Sequence, residues 1–184
     1  MPARRKLNVG RGLTNPAAIA TLDRSSPSTH SGNRVSAMRY DVREVDTHGQ
    51  PTAVVAEATT WDVFPTLWPR LLDTVWAAVR ANDEVTPNRN VMLYKDDVPN
   101  VEVGVEVEAP IPPLGDVVSS SLPVGRAAMT THHGSYGDLG LAHEAIIEWC
   151  AQHGLERVGP RWEVYGHWKE GSADQEVDVY YLVR

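Results

Sequence analysis

Apolar and polar residues alternate on one plan in two separate stretches of the chain. Residues 90–107 read Asn-Val-Met-Leu-Tyr-Lys-Asp-Asp-Val-Pro-Asn-Val-Glu-Val-Gly-Val-Glu-Val, and residues 161–182 run from Arg-Trp-Glu-Val-Tyr through a polar loop to Val-Asp-Val-Tyr-Tyr-Leu. Each is a short alternating run ending in Tyr, then a loop, then a longer valine-rich run, which is the signature of a β-hairpin. Upstream of the first hairpin, Trp61, Phe64, Trp68, Leu71, Leu72, Val75, Trp76 and Val79 recur at spacings of three and four, the stripe of an amphipathic helix. Leu139, Ala142, Ile146, Trp149 and Cys150 form the matching stripe upstream of the second. An apolar strand precedes each helix, at 52–60 and 127–132. The pattern therefore predicts two β-α-β-β units, an α+β fold with a ligand cleft where the halves meet.

Local signals set the boundaries. A first strand is expected at 38–45, with His48-Gly49-Gln50-Pro51 as a turn. Pro65 and Pro69 are tolerated only near a helix start, so the first helix should run from about Thr66 to about Ala81. The Pro-rich stretch 109–116 links the halves, and a short strand at 117–122 opens the second. Ser135 and Asp138 are candidate N-caps, Gly154 is the expected C-terminal glycine, and Gly159-Pro160 should break the chain before the last hairpin.

Six Trp against one Phe point to aromatic walls, since indole combines a wide flat face with one N–H donor. The single Cys150 excludes an intramolecular disulfide and fits the reducing cytoplasm. No apolar run reaches the roughly 18–20 residues of a membrane span, so no membrane partner is expected. Charge is uneven. Residues 1–37 carry +5 against −7 for the whole chain, which leaves −12 on residues 38–184. An acidic domain repels phosphates, so direct nucleic-acid binding by the folded part is not expected. Residues 1–37, rich in Ser, Pro, Gly and Arg without apolar periodicity, read as a disordered basic tail or as a start assigned too far upstream.

Four segments stand in order: Leu122-Pro123-Val124-Gly125-Arg126-Ala127, His133-Gly134-Ser135-Tyr136, His153-Gly154-Leu155 and Gly159-Pro160-Arg161-Trp162-Glu163-Val164-Tyr165. Together, within the duplicated frame, they resemble the GyrI-like small-molecule-binding domain, also met as the effector-binding domain of AraC- and MerR-type regulators. The resemblance covers about residues 38–184. It implies a pseudo-twofold, curved antiparallel sheet with two helices on one face and a central ligand cleft. It also implies that Glu163, in the Trp-Glu-Xaa-Tyr segment, lies in that cleft.

Strand alternation separates Trp162 and Val164 from Glu163 and Tyr165; with the first pair in the core, the second faces the cleft. A carboxylate walled by aromatics either binds a cation or, once desolvated, serves as a general acid or base. Trp61 and Tyr136, each at the entry to a helix, are pseudo-symmetric candidates for cleft walls. Tyr94 matches Tyr165 in the repeat, but Met92 stands where Glu163 would. Trp168 in the last loop is a candidate lid. Glu102 and Glu106 share a strand face expected to meet solvent or the cleft rim. His132 and His133 point opposite ways on a strand and lack ligands at suitable spacing, so neither a metal nor a cofactor is expected.

The first functional reading is a stand-alone protein that senses or sequesters a hydrophobic, aromatic or cationic molecule between Trp61, Tyr94, Tyr136, Glu163, Tyr165 and Trp168. It would regulate transcription only through a protein partner, and exposed edge strands would allow pairing with such a partner or a second copy. The alternative, implied by the resemblance, is a hydrolase of reactive cyclopropane-bearing molecules in which Glu163 and Tyr165 act on water and carbonyl. Gyrase inhibition by protein contact is a third.

Overall fold

The two hairpins meet through their first strands, and the sheet grows outward from that seam. The computed structural model describes residues 40–167 and 175–184. Its strands are β1 Arg43–His48, β2 Pro51–Ala58, β3 Pro87–Tyr94, β4 Asn100–Val107, β5 Val118–Ser121, β6 Val124–Gly134, β7 Arg157–Tyr165 and β8 Gln175–Val183. Helix α1, Phe64–Arg80, lies between β2 and β3, and α2, Leu139–His153, lies between β6 and β7. One antiparallel sheet holds all eight strands in the order β1-β6-β8-β7-β3-β4-β2-β5. The segment 1–37 and Met38, the expected first residue of β1, lie outside the described residues, as does Trp168.

Exchanging β1–β4 with β5–β8 and reading the strand order backwards reproduces the same order. The first strand of each half does not pair within its own unit. Instead β1 pairs with β6, and β5 pairs with β2. Both edge strands are short and polar, Arg-Glu-Val-Asp-Thr-His and Val-Ser-Ser-Ser, a composition that blunts edge-to-edge association.

The helix-bearing face of the sheet contains the main core. Phe64, Trp68, Leu72, Val75 and Val79 of α1 pack with Val101, Val103, Val105 and Val107 of β4, and Leu139, Ala142, Ile146 and Cys150 of α2 join the same cluster. The opposite face has its own smaller cluster of Val91, Leu93, Leu122, Ala127, Trp162 and Val164. There Trp162 stacks parallel on Tyr180 with ring centroids 5.0 Å apart.

Several local expectations shift. β1 starts at Arg43 and continues to His48, so the turn narrows to Gly49, at φ +79°, and Gln50. α1 begins at Phe64 because Pro65 occupies the first turn, where no intrahelical N–H bond is lost. Pro69 is absorbed inside the helix rather than delaying it. Gly159 and Pro160 do not break the chain; they sit within β7, where the register with β8 shifts between Arg157 and Arg161 and Gly159 takes φ +101°. Ser135 caps a short 3₁₀ turn by accepting the Gly137 N–H at 3.2 Å, whereas Asp138, at the N-cap of α2, makes no side-chain cap.

Glu102 and Glu106 are buried, not solvated. Glu106 takes a two-pronged contact from Arg89 at 2.9 and 3.0 Å, and Arg89 also reaches Asp178 at 3.2 Å. Glu102 is held by Ser120 at 2.7 Å and by Lys95. Trp149 was expected in the buried stripe but is only half-buried, stacked on His153 at 4.0 Å. Trp149→Ala is therefore expected to cost about 1–2 kcal/mol, below the 3–5 kcal/mol of a fully buried aromatic, in urea denaturation. Trp162→Ala in the same assay should reach the higher range.

Candidate functional site

The seam between β3 and β7 pairs Met92 with Glu163, Tyr94 with Arg161 and Asn90 with Tyr165. Met92 occupies Glu163's place in the repeat, so the two equivalent positions face each other directly, one apolar and one acidic. Alternation places Met92, Tyr94, Arg161, Glu163 and Tyr165 on the helix-bearing face, the face of the main core. The separation of Trp162 and Val164 from Glu163 and Tyr165 holds. Trp162 and Val164, however, enter the small cluster, and it is Glu163 and Tyr165 that lie beneath the helices.

Glu163 has 0 % exposure, so its carboxylate is sealed rather than lying on an open cleft wall. Its oxygens meet three donors. His143 Nε2 lies 3.0 Å from Oε1, and the hydroxyls of Tyr165 and Tyr94 lie 2.5 and 3.5 Å from Oε2. Because the carboxylate accepts, the His143 proton is assigned to Nε2, and in the neutral ring Nδ1 accepts from the Tyr181 hydroxyl at 2.9 Å. Met92 Sδ lies 3.5 Å from the Tyr165 hydroxyl. The network thus runs from β8 through α2 to the β3–β7 seam without leaving the interior.

Aromatic rings surround this network. Trp61, in the turn before α1, packs 5.8 Å from Tyr94 and edge-on to Phe64 at 6.4 Å, and its indole N–H donates to the Asp97 carbonyl at 3.2 Å. Tyr136 packs edge-on to Tyr165 at 5.7 Å. The Arg161 guanidinium lies over the Trp61 and Tyr94 rings, at 5.3 and 5.0 Å from their centroids. Five expected site residues, Trp61, Tyr94, Tyr136, Glu163 and Tyr165, are thereby brought together.

Sequence reasoning missed His143, Arg161 and Tyr181. His143 carried a signal: it lies between Leu139, Ile146 and Cys150 on the buried stripe of α2, where a titratable residue needs a partner. Arg161 lies two residues before Glu163 on one strand, hence on the same face.

Burial pushes the Tyr94 and Tyr165 hydroxyls well above the ordinary tyrosine range, and the Glu163 charge raises them further. Tyr181 is pushed up to about 12, first by burial, with Arg161 opposing. A hydroxyl with a raised folded-state pKa contributes stability below the unfolded value of 10.0 and loses it as pH climbs through the folded value. Unfolding midpoints are therefore expected to hold up to about pH 10 and to fall between there and about 12, with tyrosinate absorbance appearing together with unfolding. Tyrosinate absorbance growing to completion in the folded protein below that window would contradict the burial of these hydroxyls.

Beside the network lies a cavity of about 590 Å³, lined by residues that include Tyr181, Arg161 and Arg157, the α2 side chains Ile147 and Cys150, and Leu155. Tyr181 belongs to both cavity and network, and Arg161 lines the cavity while lying over the Tyr94 ring, so the two side chains form the boundary between them. Among the described residues no group of three or more His, Cys, Asp or Glu side chains is arranged to hold a metal. His132 is buried, bonded to the Tyr40 hydroxyl at 2.8 Å and the Ser135 carbonyl at 2.9 Å. No described helix is long and apolar enough to cross a membrane.

The family model for the GyrI-like small molecule binding domain matches residues 40–184. No curated protein matches the sequence. Among solved structures, the EcmrR C-terminal domain is 19% identical with TM-score 0.66, over 80% of this chain and 99% of that one. SAV2435 bound to tetraphenylphosphonium is 11% identical with TM-score 0.59, over 80% and 94%. A hydrolase from Listeria innocua is 8% identical with TM-score 0.54, over 81% and 94%. At these identities the likeness is one of fold.

Proposed function

This chain belongs to the GyrI-like small-molecule-binding family, and from that premise we propose that it binds a hydrophobic aromatic molecule in the cavity beside Arg161 and Tyr181, with Glu163 as the polar end of the site. The observation that carries this reading is the meeting of three features at one place. A cavity large enough for a drug-sized molecule is lined by Arg161, which lies over the Trp61 and Tyr94 rings, and by Tyr181, which is linked through His143 to the fully buried Glu163 carboxylate. SAV2435, a protein of the same fold, binds tetraphenylphosphonium, which supports a ligand with several aromatic rings here too.

Between the cavity and Glu163 stand Arg161, lying over Tyr94, and Tyr181, bonded to His143. The test is calorimetric titration of the full chain with aromatic probes of cationic, neutral and anionic character, tetraphenylphosphonium among them. Saturable one-to-one binding of at least one probe is expected, weakened by Trp61→Ala, which removes one of the two rings that hold Arg161 at the cavity. If none of the probes binds, the binding reading is wrong.

A specific observation favours a second reading, hydrolysis. The His143–Glu163 contact of 3.0 Å, with two tyrosine hydroxyls on the same carboxylate, groups residues able to shuttle protons and polarise a carbonyl. Glu163→Gln separates the two roles. For a binder, affinity for a cationic probe falls by about 1–3 kcal/mol and neutral probes bind nearly as before. For a hydrolase, a cyclopropane-bearing electrophile still binds while its conversion to the water adduct, followed by mass spectrometry, slows by about 10²–10⁴.

A further inference from the structure

Charges of both signs line the cavity, three carboxylates and two guanidiniums, and they differ in how far they are already paired. Glu163 is sealed and its oxygens are already met by His143, Tyr165 and Tyr94. The carboxylates that line the cavity are engaged or peripheral. Asp96 accepts from the Asn100 side-chain amide and backbone N–H, and Glu156 forms a two-pronged pair with Arg184 at 2.8 and 2.9 Å. Asp97, whose side chain is 90% exposed, reaches Arg161 only at 3.4 Å.

The guanidiniums are less committed. Arg157 makes no salt bridge among the described residues and lies over the Tyr181 ring, 5.8 Å from its centroid. Arg161 is held mainly by the faces of Trp61 and Tyr94. Two cations spread over aromatic faces therefore line a cavity whose lining also includes the apolar Ile147 and Leu155. Guanidinium presents a planar fork matched to a carboxylate and stacks on flat rings, so a single ligand can satisfy both features.

We propose that this cavity selects a planar aromatic carboxylate, its ring against the apolar lining residues and its carboxylate between Arg157 and Arg161. This rests on the small-molecule-binding reading and names the ligand class for it. Arg161 is then a specificity determinant, because its fixed positive charge at the boundary of the network disfavours a permanent cation entering toward Glu163.

Titration of the full chain with three probes of one ring system, naphthoate, naphthylmethanol and naphthyl trimethylammonium, tests the assignment. Naphthoate is expected to bind about tenfold or more tightly than the alcohol, the scale of a charge-assisted hydrogen bond, and the ammonium most weakly. Arg157→Gln and Arg161→Gln should each remove most of that advantage while the alcohol changes by less than about twofold. Arg161 packs on two rings, so Arg157→Gln, at an exposed position, is the decisive variant if Arg161→Gln unfolds. Tightest binding of the ammonium, or naphthoate affinity unchanged in Arg157→Gln, overturns the proposal. Binding of tetraphenylphosphonium without binding of naphthoate overturns it and leaves the binding function standing. Absence of binding by all four probes removes both.

Discussion

Gly104→Ala is expected to destabilise the protein by about 3 kcal/mol or more, the upper range for overpacking a site that cannot yield. Gly104 lies in the middle of β4, paired with Val54 of β2. A Cβ there would sit 2.0 Å from the Ala53 carbonyl oxygen and 2.8 Å from Val54 Cα. Both are backbone atoms, so no side-chain rotation relieves the clash, and β2 would have to part from β4. That separation would disturb Val103 and Val105, which hold α1 on the sheet. Gly154→Ala is the internal comparison. At φ +68° with nothing within 4 Å of the added methyl, it should cost only the backbone strain, about 1–2 kcal/mol. Thermal unfolding of the two variants should differ by several degrees, with Gly104→Ala lower. Equal midpoints would mean that β2 and β4 can separate without cost.

His143→Ala should be as damaging, for an electrostatic reason. The side chain is 1% exposed and links two buried groups, the Glu163 carboxylate and the Tyr181 hydroxyl. Removing it leaves a sealed carboxylate short of one donor and a hydroxyl without an acceptor. Leaving a buried hydrogen-bonding group without its partner costs about 1–3 kcal/mol, and more when that group is a carboxylate, because it keeps its desolvation penalty. Glu163→Gln in the His143→Ala background should recover part of the loss by removing that charge. Urea denaturation of the two single variants and the double variant gives the coupling directly. A double variant no more stable than His143→Ala would show that Glu163 does not depend on His143.

The elements themselves were legible along the chain. Alternating valines marked β4 and β8, the three-and-four spacing of Trp68, Leu72, Val75 and Val79 marked α1, and Gly154 marked the end of α2. Each follows from backbone geometry acting within a few residues. The grouping of Trp61, Tyr94, Tyr136, Glu163 and Tyr165 was legible too, since strand parity and the repeat turn Tyr94, Glu163 and Tyr165 to one face and put Trp61 and Tyr136 at matching helix entries. The opposite state of Glu102 and Glu106 was not, because their parity is correct and only the burial of that sheet face takes them out of solvent.

Pairing between halves was beyond local reading. Nothing in residues 43–48 says that this strand joins β6 rather than its own unit, because hydrogen-bonding edges are alike until the whole sheet is assembled. The same limit applied to the site. Parity determined that Glu163 and Tyr165 share a face, but parity is silent on which face receives the helices. Only the packing of α2 brought His143 onto Glu163 and Tyr181, closing the carboxylate, and only the β3–β7 register set Arg161 over Tyr94. The sequence by itself determined the elements and the side chains each turns to one surface, since those depend on torsions of neighbouring residues. Tertiary structure alone decided which charges are buried and paired and which face the cavity, since burial and partnership depend on residues far apart in the chain.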